Sequence, residues 1–572
     1  MQNRRAPRES LAPRESLARR ELLGWAAAAS AVTAATALPA ASADTPNRPA
    51  VDLGVRSDSP TSRTGSAQPI VGLIDAHAHL TACVAFGGDM RCGTPIGDIS
   101  VAMRADATHT GIAPGSLLEA ILGGTDPMAP NTQGWPHFTS WPAHNSQLHE
   151  QAYYRCVERA WRAGLRVINT LLVSNRVLTE LYHPSAPPVD EMAEIRAQAR
   201  YVHTIESYID HEHGGAGRGW FRIATTPEQV RDIAAAGKLA VVLGVENSEL
   251  FGGRVINGVA QCTAADVDAG LDELVDLGVS NAFPIHKFDN AFGGTRFDKG
   301  STGAAINIGN LISTGRWWQA ESAGNGPADN TQPLASDALV ALLRAGVPGV
   351  PAGTLAPVYP DGPIRNTRGL TQLGRHLITG MMDRGMIINI DHMGVKTASA
   401  VLTMVEARRY QGVMSAHTWA DRTINDRCIA LSGFTAGYAY AAHDAGNGEP
   451  DFLTEWHATR SGRHSSRLRG YGYGSDVNGL APQAPPRLDA RRLPLRYPFT
   501  APDGTRMTRM RMGTRTYDLN TDGVAHYGLY ADWYADILSL AGRWRPTLHR
   551  DLINGAEAFV SMWEGARANA AR

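Results

Sequence analysis

Two histidines one residue apart, His77 and His79, close the apolar run Ile70-Val71-Gly72-Leu73-Ile74-Asp75-Ala76. On a β-strand, side chains at i and i+2 share a face, so both imidazoles can reach one cation from the strand's C-terminal end. A His-x-His pair decides nothing by itself, because histidines satisfied by ordinary hydrogen bonds are as common as metal ligands. Other apolar segments of the chain end in the same way. Glu246 follows Leu239 to Val245, His286 follows Val279 to Ile285, His392 follows Met386 to Asp391, His417 follows Val413 to Ala416, and Asp476 closes Gly472-Tyr473-Gly474-Ser475. Each has a bland alternative when taken singly: an ion-pair carboxylate for Glu246, a core histidine for His286 or His392, an Asx-turn residue for Asp476. Independent accidents would not all fall at strand C-termini, so jointly these residues indicate a metal site.

The donor count suggests two ions. His77, His79, His392 and His417 with Glu246 and Asp476 exceed the three protein ligands typical of one catalytic zinc. Only a carboxylate among these groups can bridge two ions, which makes Glu246 the natural bridge. The expected cofactor is therefore a pair of divalent metal ions of the Zn2+ kind. His211-Glu212-His213 is a second His-x-His, but it follows a helical stretch and precedes Gly214-Gly215, so it is expected at a solvated helix end. His137, His144 and His149 fall in a long polar insertion and are expected in a lid, away from the metal ligands.

The elements that must position these residues alternate along the chain. Helical periodicity runs over 148–164, 189–210, 227–236, 264–277, 370–384 and 397–409; strand-like runs occupy 165–174, 239–246, 279–286, 386–391 and 413–417. Strands alternating with helices predict a parallel sheet, and their number favours a closed (β/α)8 TIM-type barrel over an open doubly wound sheet. No Gly-x-Gly-x-x-Gly turn opens a helix, which also weighs against a dinucleotide fold. Polar insertions at about 82–147, 288–334, 440–468 and 480–520 are expected to wall the active-site face, and Asp503-Gly504 in the last of them reads as a hairpin turn.

Composition narrows the partners. With 54 basic and 55 acidic residues and a net charge of −1, nothing points to nucleic acid, and a small-molecule substrate is expected. The cysteines Cys83, Cys92, Cys156, Cys262 and Cys428 are too scattered for a disulfide framework or a Cys-type zinc site, although Cys83 and Cys92 are close enough in sequence for a local bridge. Residues 1–43 read as a signal peptide: a tandem Ala-Pro-Arg-Glu-Ser-Leu repeat, the pair Arg19-Arg20, an uncharged Ala-rich stretch, and small residues before Asp44. The paired arginines resemble the twin-arginine type and predict export to the periplasm or beyond. A retained anchor helix is the alternative, disfavoured by the short and weakly hydrophobic stretch, so no membrane span is expected in the mature chain. Residues 44–68 read as a disordered linker, leaving 69–572 for the barrel domain. A homodimer is compatible with this composition.

A family resemblance rests on particular residues. Arg368-Gly369-Leu370-Thr371-x-x-Gly374, then Met382-x-x-Gly385-Met386-Ile387, Asp391-His392-Met393 and His417, resemble the membrane (renal-type) dipeptidase family of the amidohydrolase superfamily. Gly244-Val245-Glu246 and Gly472-Tyr473-Gly474-Ser475-Asp476-Val477-Asn478-Gly479 resemble that family's bridging-glutamate and final-strand segments. The resemblance implies a (β/α)8 barrel with a binuclear zinc site that hydrolyses dipeptides or related amides. It implies that His77, His79, Glu246 and Asp476 hold one ion and Glu246, His392 and His417 the other, with His286 facing the substrate and Arg427 matching the arginine that binds the substrate carboxylate. The family reads His-x-Asp where this chain reads His77-x-His79, which adds one positive charge to the site. The expected mechanism is attack of a metal-bridging hydroxide on the scissile carbonyl, with His286 stabilising the oxyanion and Asp476 relaying a proton to the leaving amine. Hydrolysis of a non-peptide amide, lactone or ester is the alternative activity, and a non-catalytic metal-binding secreted protein is the alternative class.

Overall fold

In the computed structural model of the chain, eight parallel strands close into a barrel in sequence order. They are β1 (Leu73–Ala78), β2 (Leu165–Ser174), β3 (Leu239–Asn247), β4 (Val279–Ala282), β5 (Ile387–Asn389), β6 (Val413–Ser415), β7 (Phe434–Tyr438) and β8 (Gly472–Gly474). The longest seam joins β2 to β3 in unbroken register from Val167↔Ala240 to Ser174↔Asn247, and the pairing of Tyr473 with Asp75 closes β8 onto β1. The structure describes residues 50–56, 68–110, 114–183, 189–329, 336–440, 451–465 and 469–570. The signal-peptide reading of 1–43 lies outside the described residues. The described residues form one compact unit.

Burial on both faces explains the composition of the strands. Every residue of β2 and of β3 is buried, in keeping with the apolar runs Leu239-Ala240-Val241-Val242-Leu243 and Leu171-Leu172-Val173. The flanking helices are α1 (Tyr154–Arg162), α2 (Glu191–Glu212), α3 (Pro227–Ala235), α4 (Ala264–Asp276), α5 (Gln372–Asp383), α6 (Val395–Ala407), α7 (Arg422–Ala430), α8 (Phe452–Ser465) and α9 (Gly555–Ala570). Their starts carry the caps that the residue types allow. The Thr226, Thr263 and Thr371 hydroxyls accept from the backbone N–H three residues on, and Thr263 forms a full capping box with Asp266.

Several sequence expectations shift in detail. The helix expected over 148–164 begins only at Tyr154. The expected strands 279–286, 386–391 and 413–417 leave the ladder at Ala282, Asn389 and Ser415, because the chain turns out of the sheet just before its functional residues. Lys287, His392, Thr418 and Asp476 all adopt left-handed backbone, at φ 58°, 64°, 57° and 50°. Part of the stretch read as a disordered linker is ordered: Val51–Asp52 pairs with Arg511–Met512, and Val55 bridges to Met507. Asp503-Gly504 does turn a hairpin, between Phe499–Thr500 and Arg506–Met507. The four insertions follow β1, β4, β7 and β8, but the last does not stay on the C-terminal face as expected, since Asp503 in its hairpin meets Arg166 at the start of β2.

A polar floor underlies that face. Asn281 donates to the Asn169 side chain at 2.8 Å, and Asn169 donates to the Ala76 carbonyl at 2.9 Å, which ties β4, β2 and β1 together inside the barrel. Gly244, two residues before Glu246 on the same face of β3, leaves room for this pair. A Cβ there would lie 2.3 Å from Asn281 Oδ1 and 2.5 Å from Leu171 Cδ2. Gly244→Ala is therefore expected to destabilise the fold by about 1–3 kcal/mol through overpacking. Denaturant unfolding at constant m-value reads this, and an unshifted midpoint would contradict the packing described.

Candidate metal centre

Glu246, at the end of β3 and 3% exposed, divides its two oxygens between two sets of imidazoles. Its Oε2 lies 3.1 Å from His77 Nε2 and 3.2 Å from His79 Nε2. Its Oε1 lies 3.4 Å from both His286 Nε2 and His392 Nε2. Asp476, beyond β8, places Oδ1 3.1 Å from His79 Nε2 and 3.5 Å from His77 Nε2. His392 and His417 bring their Nε2 atoms to 3.1 Å of each other. Three overlapping donor groups result: His77 with His79 and Asp476, His77 with Glu246 and His417, and Glu246 with His286 and His392.

The far nitrogens show what the near ones present. His79 Nδ1 donates to the Leu171 carbonyl at 2.9 Å, so the neutral imidazole presents a lone pair at Nε2. His417 Nδ1 donates to Asp391 Oδ2 at 3.0 Å, and that carboxylate is itself fixed by the backbone N–H groups of Ala416 and His417 and by the Ser415 hydroxyl. In the neutral ring its Nε2 therefore also presents a lone pair. Both face carboxylate oxygens or other imidazole nitrogens at 3.1–3.2 Å, an arrangement that repels unless a cation or proton lies between. His77 Nδ1, His286 Nδ1 and His392 Nδ1 are buried without a hydrogen-bond partner. A tetrahedral zinc with bonds of about 2.0–2.1 Å sets its ligand atoms roughly 3.3–3.4 Å apart, and the separations here are 3.1–3.5 Å. Nitrogen and oxygen donors at these spacings fit a divalent cation of borderline softness.

The electrostatics show how strongly the carboxylates seek positive charge. Burial opposes a charge on His77, yet Glu246 and Asp476 lift it to about 10. Glu246, despite the same burial, is held well below the usual carboxylate range, chiefly by the charge on His77. His286 and His392 go the other way, since burial and the neighbouring Lys287 ammonium keep them neutral; His286 falls to about 3.

The barrel thus brings His77, His79, Glu246, His392, His417 and Asp476 close together. His286 lies closer than a substrate-facing role alone requires, within the same donor group as Glu246 and His392. Arg427 is not at the site. It lies in the last turn of α7, where its guanidinium donates to the Ser399 carbonyl, the Thr403 hydroxyl and Glu406 on α6, each at 3.0 Å. The helix that starts near His417 carries Arg427 away from the mouth along the outside of the barrel. A cation that sequence reasoning passed over is nearer: Lys287, 3.1 Å from Asp298 and 5.7 Å from the Trp419 ring centroid. Asp391 was also missed as the group that orients His417, although its place before His392 at a strand end is the signal. Asp75 was another, linking the N–H groups of His77 and Ser475 to the Tyr527 hydroxyl across the β1–β8 seam. Cys83 and Cys92 are both free thiols, and no helix of the described residues is long and apolar enough to cross a membrane.

No family profile and no curated protein matches the chain. Among solved structures it is similar to an amidohydrolase from Pseudomonas aeruginosa, at 12% identity over 72% of this chain and 92% of the other, with a TM-score of 0.36. It is also similar to the metallopeptidase dipeptidase AC, at 14% identity over 72% and 88%, TM-score 0.39. A third is a metallopeptidase from Rhodobacter sphaeroides liganded with a phosphinate mimic of L-Ala-D-Ala, at 13% identity over 73% and 88%, TM-score 0.36. The chemistry of the centre rests on its own donor geometry.

Because Asp391 fixes the tautomer and direction of His417, Asp391→Asn is expected to weaken metal binding about 10- to 100-fold. Competition against a chromophoric chelator measures this, with circular dichroism as the folding control; unchanged affinity would show that Asp391 is not the orienting group.

Proposed function

We propose that the chain is an exported binuclear metal-dependent hydrolase that cleaves an amide bond, of dipeptidase type. The observation that carries this reading is the division of Glu246 between two sets of imidazoles at the mouth of a barrel. His77, His79, Glu246 and Asp476 would hold one ion, and Glu246, His392 and His417 the other. Bound there, two such ions would supply an activated water and polarise the scissile carbonyl.

The chain's own groups supply the rest. Asp476 is the most exposed of the donors, its side chain at 17% against 11% for His286 and 1% for His77 and His79, so it can pass a proton from the centre to a leaving amine. His286, kept neutral by burial, can offer an N–H to the carbonyl oxygen without bringing further charge. Lys287 adds a positive charge at the rim, where a substrate carboxylate would be received. A second reading, hydrolysis of a lactone, ester or non-peptide amide on the same centre, is favoured by His79: a neutral ligand in place of an anionic one makes the site more positive.

Asp476→Asn is expected to lower kcat about 10²- to 10⁴-fold with metal largely retained, whereas Glu246→Gln loses metal. Metal counting combined with a panel of L,L- and L,D-dipeptides, N-acyl amino acids and lactones separates the two readings, and full activity in metal-stripped wild type excludes both. Export is supported by Arg19-Arg20 and by the small residues before Asp44. The mature protein is expected to begin at Asp44, which N-terminal sequencing of secreted material checks; an uncut chain retained in the cytoplasm contradicts it.

A further inference from the structure

A separate set of donors lies in the first insertion, away from the barrel centre. Asp106, His109 and His149 are buried, at 5%, 2% and 0% exposure, and their ligand atoms all lie within 4.8 Å of one another. His109 Nδ1 is 2.5 Å and His149 Nε2 2.9 Å from the same oxygen, Asp106 Oδ2. The shorter contact is a close ion-pair approach in which the His109 Nδ1–H lies off the ideal hydrogen-bond line.

Every outer atom of the set is anchored. Asp106 Oδ1 accepts from the Thr108 N–H and hydroxyl, both at 2.6 Å, which turns Oδ2 toward the imidazoles. His149 Nδ1 faces Glu119 Oε1 at 3.2 Å, and that oxygen is held in turn by the Leu148 N–H. His109 Nε2 meets the Tyr182 hydroxyl at 3.0 Å. A carboxylate or hydroxyl behind each imidazole, with the other nitrogen aimed inward, is how metal-ligating histidines are oriented. Sequence reasoning had placed His149 among lid residues, because Asp106, His109 and His149 share no strand end or regular spacing.

We propose that Asp106, His109 and His149 hold a structural divalent cation of the zinc kind, which clamps the first insertion to the barrel mouth. The 2.5 and 2.9 Å edges need to widen by less than about 1 Å to reach those of a tetrahedral site. The clamp joins three segments: residues 106–109, His149, and Tyr182 on the helix Arg176–Tyr182. It also reaches the catalytic loop. Arg91 donates to the His149 carbonyl and to Asn478 Oδ1, each at 2.6 Å, and Asn478 lies two residues beyond Asp476. This inference is independent of the proposed hydrolase activity, since none of its donors belongs to the barrel centre.

Metal content per chain, measured by plasma mass spectrometry on the full protein grown with zinc, tests it. His109→Gln and Asp106→Asn are each expected to lose one equivalent relative to wild type, whatever the occupancy of the barrel. Equal content in wild type and both variants would overturn the clamp and leave a proton-linked His-Asp-His network. Should the variants fail to fold, zinc titration of chelator-treated His77→Ala/Glu246→Gln protein decides: one tightly held equivalent supports the clamp, and none overturns it.

Discussion

A carboxylate buried at the end of a strand imposes the main constraint on this molecule. Taking the Glu246 charge out of water costs several kcal/mol unless compensating charge and hydrogen bonds surround it. Four imidazoles from three other strand ends provide the surroundings, and they can do so only if β1, β4 and β5 are held at fixed height and angle to β3. Barrel closure supplies that rigidity. The eight-residue seam between β2 and β3 and the Asn169–Asn281 pair beneath it keep the floor from shifting, so the donors above it keep their spacing.

Left-handed backbone at Lys287, His392, Thr418 and Asp476 belongs to the same economy of position. Non-glycine residues seldom adopt it, and where they do the surrounding structure has to hold them there. These four positions follow closely on the ends of β4, β5, β6 and β8, where the chain has left the sheet.

Legibility in the sequence followed the range of the interactions involved. The barrel and its principal donors could be read because each depends on a local pattern, an apolar run ended by a ligand-type residue. β7 was harder to read, since Phe434-Thr435-Ala436-Gly437-Tyr438 is short and only partly apolar. The strand at Val51–Asp52 could not be read at all, because its partner is a distant hairpin and its own two residues carry no period. Arg427 was misplaced for a related reason: spacing after His417 gives the number of residues along a helix but not the direction in which that helix leaves the mouth. His149 and Asp391 escaped because their parts depend on neighbours from other segments.

The pairing of the Val51 segment with the late hairpin has a consequence for the order of assembly. Arg159 on α1 is fully buried, and its guanidinium donates to Leu53 O and Thr508 O at 2.8 Å, to Gly528 O at 2.5 Å, and to Asp532. The Thr508 hydroxyl in turn reaches Gly54 O, 454 residues away. A chain emerging from the ribosome completes most barrel strands while this guanidinium still lacks the groups that will enclose it. Bringing ends so far apart together is a slow, entropically costly closure. The side of the molecule opposite the metal centre is thus sealed late, and a chain cut short of Thr508 would carry an exposed arginine where the finished protein has a closed core.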